Sequence, residues 1–217
     1  MNLNTPYELT QESIDSFQQD GHVLLRGVCA EPEVEQFRSI ITEAVNQEAK
    51  DMPPMEKRDT YGKAFLQIMN LWDRHPAVRP YVLAKRFGKI AARLMGVSGV
   101  RLYHDQALYK EAGGGFTPWH QDQHYWPLET DKTITMWMPL VPIDENMGTM
   151  NFASGSQTVG YLGDLPISDE AEARIGKLVE ERGWPVVNHG PMAAGDATFH
   201  TGWTLHGAPG NNGQRTR

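Results

Sequence analysis

The sequence predicts an α+β protein with a mainly β core, a barrel or a sandwich, braced by helices at its N-terminal end. Two observations carry this. Before residue 97, apolar residues recur at three- and four-residue steps, the period of a helix face. From Val97 onward, short strand-like runs alternate with Gly, Pro and Asn. The change of texture has no linker character, and no internal repeat accompanies it. One domain over residues 1–217 follows, with a helical part over about 1–96 and a β core over about 97–217.

Thr10 is a suitable N-cap for a first helix carrying Ile14 and Phe17, and Gly21 supplies its stop. His22 to Arg26 then reads as a short apolar strand. Pro32 opens a second helix, whose Val34, Phe37, Ile40, Ile41, Ala44 and Val45 share one face. Gln47 to Thr60 reads as a charged loop. A third helix is predicted from Pro76 to Gly96, with Pro80 tolerable only in its first turn. Strands are expected at Val100–Tyr109, Trp119–His124, Thr133–Val141, Thr149–Phe152, Pro185–His189, Ala197–His200 and Thr204–His206. Between Leu165 and Arg182, Ala171, Ile175, Leu178 and Val179 are spaced for one helical face.

Composition narrows the function. Twenty basic against 27 acidic residues leave a net charge of −7, the wrong sign for tracking phosphates, so nucleic acid is not expected as a partner. No apolar run reaches the ~20 residues of a membrane helix, and the first ten residues lack a signal-peptide pattern. Cys29 is the only cysteine, which excludes a disulfide frame and a Cys-built zinc site. A cytoplasmic location and a small-molecule substrate are the expectations. Oligomeric state is not readable.

The chemistry lies in the histidines. In a strand, residues two apart share a face. His120 and Asp122 would then aim a nitrogen and a carboxylate oxygen at one point, two ligands of a facial two-His-one-carboxylate iron site. His189, His200 and His206 are candidates for the third. His206 is favoured, because an apolar strand leads to it from the Gly195-Asp196 turn and Arg215 and Arg217 follow it. A guanidinium near the metal can grip a carboxylate in bidentate fashion. His124 would share the strand face of His120 and Asp122. Gly113-Gly114-Gly115 lacks the Lys-Ser/Thr of a phosphate loop and reads as a flexible lip beside the site.

The order of these motifs resembles the phytanoyl-CoA dioxygenase family of iron(II)- and 2-oxoglutarate-dependent oxygenases. The matching stretches are His120 to Pro127, Thr135 to Leu140, Glu145 to Met150, Ser154-Gly155-Ser156, Gly195-Asp196 and His206 to Asn211. The resemblance spans roughly residues 10–217 and is distinctive from 100 onward. It implies a double-stranded β-helix (a jelly roll, cupin-like) with supporting N-terminal helices. It implies His120, Asp122 and His206 as ligands of Fe(II), with 2-oxoglutarate and O2 as co-substrates. Arg217 falls where the family binds the far carboxylate of 2-oxoglutarate, with Arg215 as the fallback. Gln106, Trp137 and Gln67 match positions lining that pocket. Ala208 stands where the family often has a hydroxyl residue, which removes one hydrogen bond to the co-substrate. A further core strand follows this arginine in the family, so the natural chain is expected to continue past Arg217.

Relatives that halogenate lack the carboxylate ligand. Asp122 therefore argues for hydroxylation or a related oxidation, with succinate and carbon dioxide released. Two readings from other classes compete. One is a zinc-dependent hydrolase or isomerase on a cupin-like barrel, which would not need the arginines. The other is a binding relative that has lost catalysis. The segments expected to vary with substrate are the helices before residue 97, the 111–117 loop and the 158–184 insertion. None concentrates Lys and Arg as a coenzyme A phosphate site would, so a small or mid-sized apolar substrate is favoured.

Overall fold

Thr10 caps the first helix, α1 (Gln11–Asp20), by accepting a hydrogen bond from the Ser13 amide at 3.1 Å. The computed structural model describes residues 3–58 and 60–217. Gly21 ends α1 at φ 78°, a left-handed conformation that favours glycine. A Cβ there would also lie 2.6 Å from Thr204 Oγ1, and the Gly21 carbonyl accepts from Thr201 and Thr204. This turn joins α1 to the first strand, β1 (His22–Leu25). The second helix, α2 (Glu31–Glu48), carries Pro32 in its first turn and buries Val34, Phe37, Ile41, Ala44 and Val45 as the spacing predicted.

The next region departs from expectation. A short helix α3 (Thr60–Ala64) and a strand β2 (Leu66–Met69) lie where no element was read. A short helix α4 (Leu71–Arg74) comes before the predicted third helix, which is itself two: α5 (Arg79–Val82) and α6 (Lys85–Met95). His75 is extended, as the residue before a proline prefers. Ala84 is extended too and starts α6 afresh, while Pro80 sits in the first turn of α5.

Most later strands are shorter than their apolar runs. The Val100–Tyr109 run yields only β3 (Gln106–Tyr109), because Asp105 turns aside to accept the Leu71 and Trp72 amides of α4. Then come β4 (Thr117–His120), β5 (Ile134–Trp137) and β6 (Asn151–Ala153). Helix α7 (Asp169–Arg182) follows, and β7 (Val186–Asn188), β8 (Ala197–Thr201) and β9 (His206–Ala208) complete the described strands.

The strands form antiparallel sheets in the orders β1-β8-β5 and β4-β9-β6-β7, with a separate β2-β3 ribbon. Alternation decides what each face does. Val23, Leu25, Ala197 and Phe199 turn outward and pack with the apolar faces of α1, α2 and α6. Ala153, Leu205 and Trp119 of the other sheet and its edges pack against Ala171, Ile175 and Val179 of α7. The alternate residues point inward, and the two inner faces meet. Phe152 lies with its ring 5.3 Å from His200 and 4.7 Å from His22, and His200 lies 4.4 Å from His206. The interior between the sheets is therefore built of histidines around one phenylalanine. This is the α+β architecture expected, with helices outside and the histidines within.

Gly195-Asp196 has a structural role. The buried Asp196 carboxylate accepts the Gly27 amide at 2.8 Å, the Ala193 amide at 2.9 Å and Arg26 Nη1 at 2.7 Å, which ties the end of β1 to the start of β8. The tri-glycine segment is tethered: Gly113 donates to Asn211, and Gly115 donates to Lys63.

Candidate metal centre

His120 and His206 stand opposite one another across β4 and β9. Directly opposed residues share a sheet face, and these two rings are 4.2 Å apart at their centroids. Each ring is oriented from behind. His120 Nδ1 donates to the Pro118 carbonyl at 2.8 Å, and His206 Nδ1 donates to the Thr204 carbonyl at 2.9 Å. With the proton fixed on Nδ1, both Nε2 lone pairs are free to ligate, the arrangement that metal-binding histidines use. Burial pushes both imidazoles below their ordinary pKa, so both are neutral.

Asp122 reaches the same point by a different route from the one expected. It does not continue the β4 strand, and the period-two argument fails at Gln121. Asp122 opens a 3-10 turn, Asp122–Tyr125, which also carries His124 off the strand face. Its carboxylate lies between the two sheets. Oδ1 is 3.8 Å from His120 Nε2 and 3.6 Å from His206 Nε2. Oδ2 accepts Thr135 Oγ1 at 2.7 Å and His200 Nε2 at 3.1 Å. Thr135 and His200 are themselves opposite one another across β5 and β8. One cross-strand pair thus faces each oxygen of the carboxylate. Burial opposes ionisation of Asp122, but the neighbouring histidines, with the hydrogen bond from His200, outweigh it and hold the carboxyl below the usual range.

The ligand atoms of His120, Asp122 and His206 all lie within 4.8 Å of one another. Two neutral imidazoles and one carboxylate, half-buried to buried, make a donor set suited to a divalent first-row metal. His200 is directed at the carboxylate rather than at the shared point. His189 lies apart, with its Nε2 2.9 Å from His22 Nδ1. His22 also meets Ser154 Oγ at 2.8 Å, and its pKa is pushed down to about 3 by burial first and by His189 and His200 next.

Arg217 lies beyond the metal cluster along β5. Its guanidinium covers the Trp137 ring at 5.2 Å and donates to the Met147 carbonyl at 2.9 Å and the Gly148 carbonyl at 2.6 Å. Trp137 is two residues from Thr135, on the same inner face. Backbone bonds between Lys110 and Arg217, 2.8 and 3.1 Å, join Arg217 to the end of β3. The fully buried Lys110 ammonium donates to Gly115 O at 2.5 Å. Burial, with Arg217 adding, lowers Lys110 to about 7, and burial lowers Arg217 to about 10. Neither cation forms an ion pair among the described residues. Arg215 is exposed, and its guanidinium meets Met147 Sδ at 3.8 Å. Gln67 Nε2 donates to Gln106 Oε1 at 2.9 Å on the β2-β3 ribbon, and Gln106 is exposed.

The sequence does not mark Asn211 and Thr135 as individual site residues, and it offers His200 as a metal ligand rather than as a partner of Asp122. Asn211 is fully buried and donates to the carbonyls of Lys110, at 2.9 Å, and Arg215, at 2.7 Å, which holds the final segment against β3. Thr135 and His200 orient Asp122. Their signal was their position one strand apart opposite the ligand turn, which is not visible without the pairing.

Two facing antiparallel sheets, with two histidines and one carboxylate gathered between them, define a metal-binding jelly roll of the double-stranded β-helix class. Residues 17–217 match the family described as phytanoyl-CoA dioxygenase (PhyH), and the chain belongs to that family. Among solved structures, the chain is similar to SnoK, a non-heme alpha-ketoglutarate-dependent carbocyclase from nogalamycin biosynthesis. Identity is 27% at a TM-score of 0.79, covering 98% of this chain and 83% of that one. It is similar to the epimerase SnoN, determined in complex with Fe3+, alpha-ketoglutarate and nogalamycin RO, at 25% identity and TM-score 0.75, covering 95% and 79%. EctD from S. alaskensis, with 2-oxoglutarate and 5-hydroxyectoine, shares the fold at 16% identity and TM-score 0.74, covering 100% and 78%. No curated protein matches the chain. No helix among the described residues is long and apolar enough to cross a membrane.

Proposed function

We propose that this chain is an Fe(II)- and 2-oxoglutarate-dependent dioxygenase that hydroxylates a small or mid-sized organic molecule. The observation that carries the reading is the convergence of His120, Asp122 and His206, each held from behind by its own hydrogen bonds. When bound, iron with 2-oxoglutarate and oxygen supplies an oxidant strong enough to take a hydrogen atom from carbon, while succinate and carbon dioxide leave.

The chain's own residues do the rest. His120 and His206 give neutral Nε2 lone pairs, and Asp122 Oδ1 gives one negative charge. Three protein ligands on one face leave the other positions for co-substrates. Arg217 offers its guanidinium to the far carboxylate of 2-oxoglutarate. It is restrained by two carbonyls and the Trp137 ring, so little freedom is lost on binding. Buried cations are normally paired, and the lack of an ion pair at Lys110 and Arg217 favours a dianionic ligand here. Trp137 is assigned to the wall of the site on its contact with Arg217, whereas Gln106 and Gln67 are seen only to bond to one another on the ribbon, and their role at the site rests on the family resemblance. Arg215 has the weaker claim, since it is exposed. The neighbours include a carbocyclase and an epimerase as well as enzymes bound to 2-oxoglutarate, and the intact carboxylate ligand supports hydroxylation for this chain.

Anaerobic addition of Fe(II) and 2-oxoglutarate should produce the weak visible charge-transfer band of the chelate. Asp122→Ala should abolish it, and Arg217→Ala should raise the 2-oxoglutarate concentration needed to reach half its height. Iron binding without any band would overturn the reading.

A further inference from the structure

The turn that delivers Asp122 also begins a belt of aromatic rings. On one side, Trp126 donates its indole N–H to His104 Nε2 at 3.1 Å, and Tyr103 meets both rings edge to face, at 5.8 and 5.2 Å. On the other side, His124 packs edge to face on Tyr125 at 4.8 Å and lies parallel to Tyr161 at 6.2 Å. Tyr161 then meets Trp203 at 6.2 Å. The belt is anchored beside the metal ligands. The buried Gln121, between His120 and Asp122, donates to the Gly160 carbonyl at 2.9 Å and to the Trp203 carbonyl at 2.8 Å.

These rings are not buried core. Tyr103, Tyr125 and Tyr161 are 51%, 46% and 59% exposed. Among the described residues only one other aromatic side chain, Phe116, is comparably exposed. Exposed aromatic surface gathered in one place marks a binding site. The charges bear on what it binds. The cation–ring contacts of the described residues lie elsewhere, at Trp72, Phe65 and Trp137. Asp122 and Asp105 act on His104, Asp122 acts on Tyr125, and the exposed Asp164 lies 3.7 Å from His124. These carboxylates disfavour an anionic or phosphorylated ligand. A plain aliphatic chain would need only a greasy wall, and it would leave the ring faces without specific partners.

We infer that Tyr103, Trp126, Tyr161 and Trp203 form the substrate platform of this site, and that the substrate is a neutral, flat, ring-conjugated small molecule. Its rings stack on the exposed tyrosine faces, and the carbon to be oxidised is held over the His120–Asp122–His206 cluster. The inference depends on the oxygenase reading only in calling the bound molecule a substrate.

Binding is read without turnover, on the full chain loaded with Zn2+ and 2-oxoglutarate, by quenching of tryptophan fluorescence. The probes are 1,8-dihydroxyanthraquinone, decanol and choline. The planar probe should bind at least tenfold more tightly than the other two. Tyr161→Ala and Tyr103→Ala should each weaken it by about tenfold, the scale of one lost stacking contact, whereas Tyr161→Phe should stay within about twofold of the parent chain. Preference for decanol or choline, or unchanged affinity in both alanine variants, would overturn the inference. So would an absence of quenching up to the probe's solubility limit. Sedimentation velocity adds one more arm: a dimer that Tyr161→Ala converts to monomer would assign the belt to a second copy of this chain instead. The chelate band measured on the iron-loaded chain is independent of these results, so failure of the platform and failure of the oxygenase reading are separable.

Discussion

The two sheets meet the same carboxylate in opposite ways. The β4-β9 pair presents His120 and His206, whose Nε2 atoms have no partner within hydrogen-bond distance among the described residues and so remain available. The β5-β8 pair presents Thr135 and His200, whose donors are both committed to Asp122 Oδ2. On the proposed reading one sheet supplies ligands, and the other engages the carboxylate's second oxygen so that it would not compete for the metal. A site that looks like three residues is a five-residue construction, with Asp122 as the hinge between two ladders.

The comparison breaks most severely at the hinge. Asp122→Ala removes the only anionic ligand and leaves two neutral imidazoles. Fe(II) affinity, measured by anaerobic titration, should fall by more than about 100-fold, beyond the range seen when a supporting partner is lost. If affinity were retained, the metal would be held elsewhere. Phe152→Ala attacks the space between the sheets instead. Phe152 is fully buried, with its ring against His22, His189, His200 and His206. Truncating a buried phenylalanine costs about 3–5 kcal/mol, and chemical denaturation of the apo chain should report a loss in that range. A loss below about 1 kcal/mol would mean that the sheets close over the gap.

These two residues also mark what was legible in the sequence. The caps of α1, the buried faces of α2 and α7 and the His120–Asp122 pair depend on spacings within a few residues, and they were readable; the distant His206 is favoured by the turn before it and the arginines after it. Asp122 was the right residue for a wrong reason, because period two presumes a strand where the chain makes a 3-10 turn. His200 acts across 78 residues of sequence, Asn211 across 101, Thr135 across 13 from another strand and Phe152 through ring packing between sheets, and no local pattern encodes that. The single helix expected over 76–96 failed because apolar spacing persists through breaks that the prolines and an extended Ala84 impose.

A sharper test separates supplying from supporting. Thr135→Val keeps the side-chain shape and deletes one donor to Oδ2, and His200→Ala deletes the other. Each should weaken Fe(II) binding by about 10–100-fold, the usual effect of losing an outer partner. The double variant should lose less than the sum of the two, because both act through one oxygen. Full additivity, or an effect confined to turnover with metal affinity intact, would refute a shared clamp.

The smallest effect concerns the histidine that neither sheet uses for the metal. His22 is 3% exposed and lies against His189, Ser154, Phe152 and, across β1 and β8, His200. Its pKa is pushed from 6.5 to about 3 in the folded chain, with burial the leading cause. The unfolded chain therefore takes up this proton first as pH falls. The stability that neutral His22 permits is complete above pH ~6.5 and is lost progressively from there down toward pH ~3. Between pH 7 and pH 5, the linkage amounts to about 2 kcal/mol. The folded imidazoles of His120, His189 and His206 are lowered as well and act with the same sign, so the parent chain's slope exceeds that of His22 alone. Subtracting the denaturation profile of His22→Asn isolates its share. A difference that stays flat between pH 7 and pH 5 would mean that His22 carries its proton in the folded state, and that the space between the sheets is wetter than its packing implies.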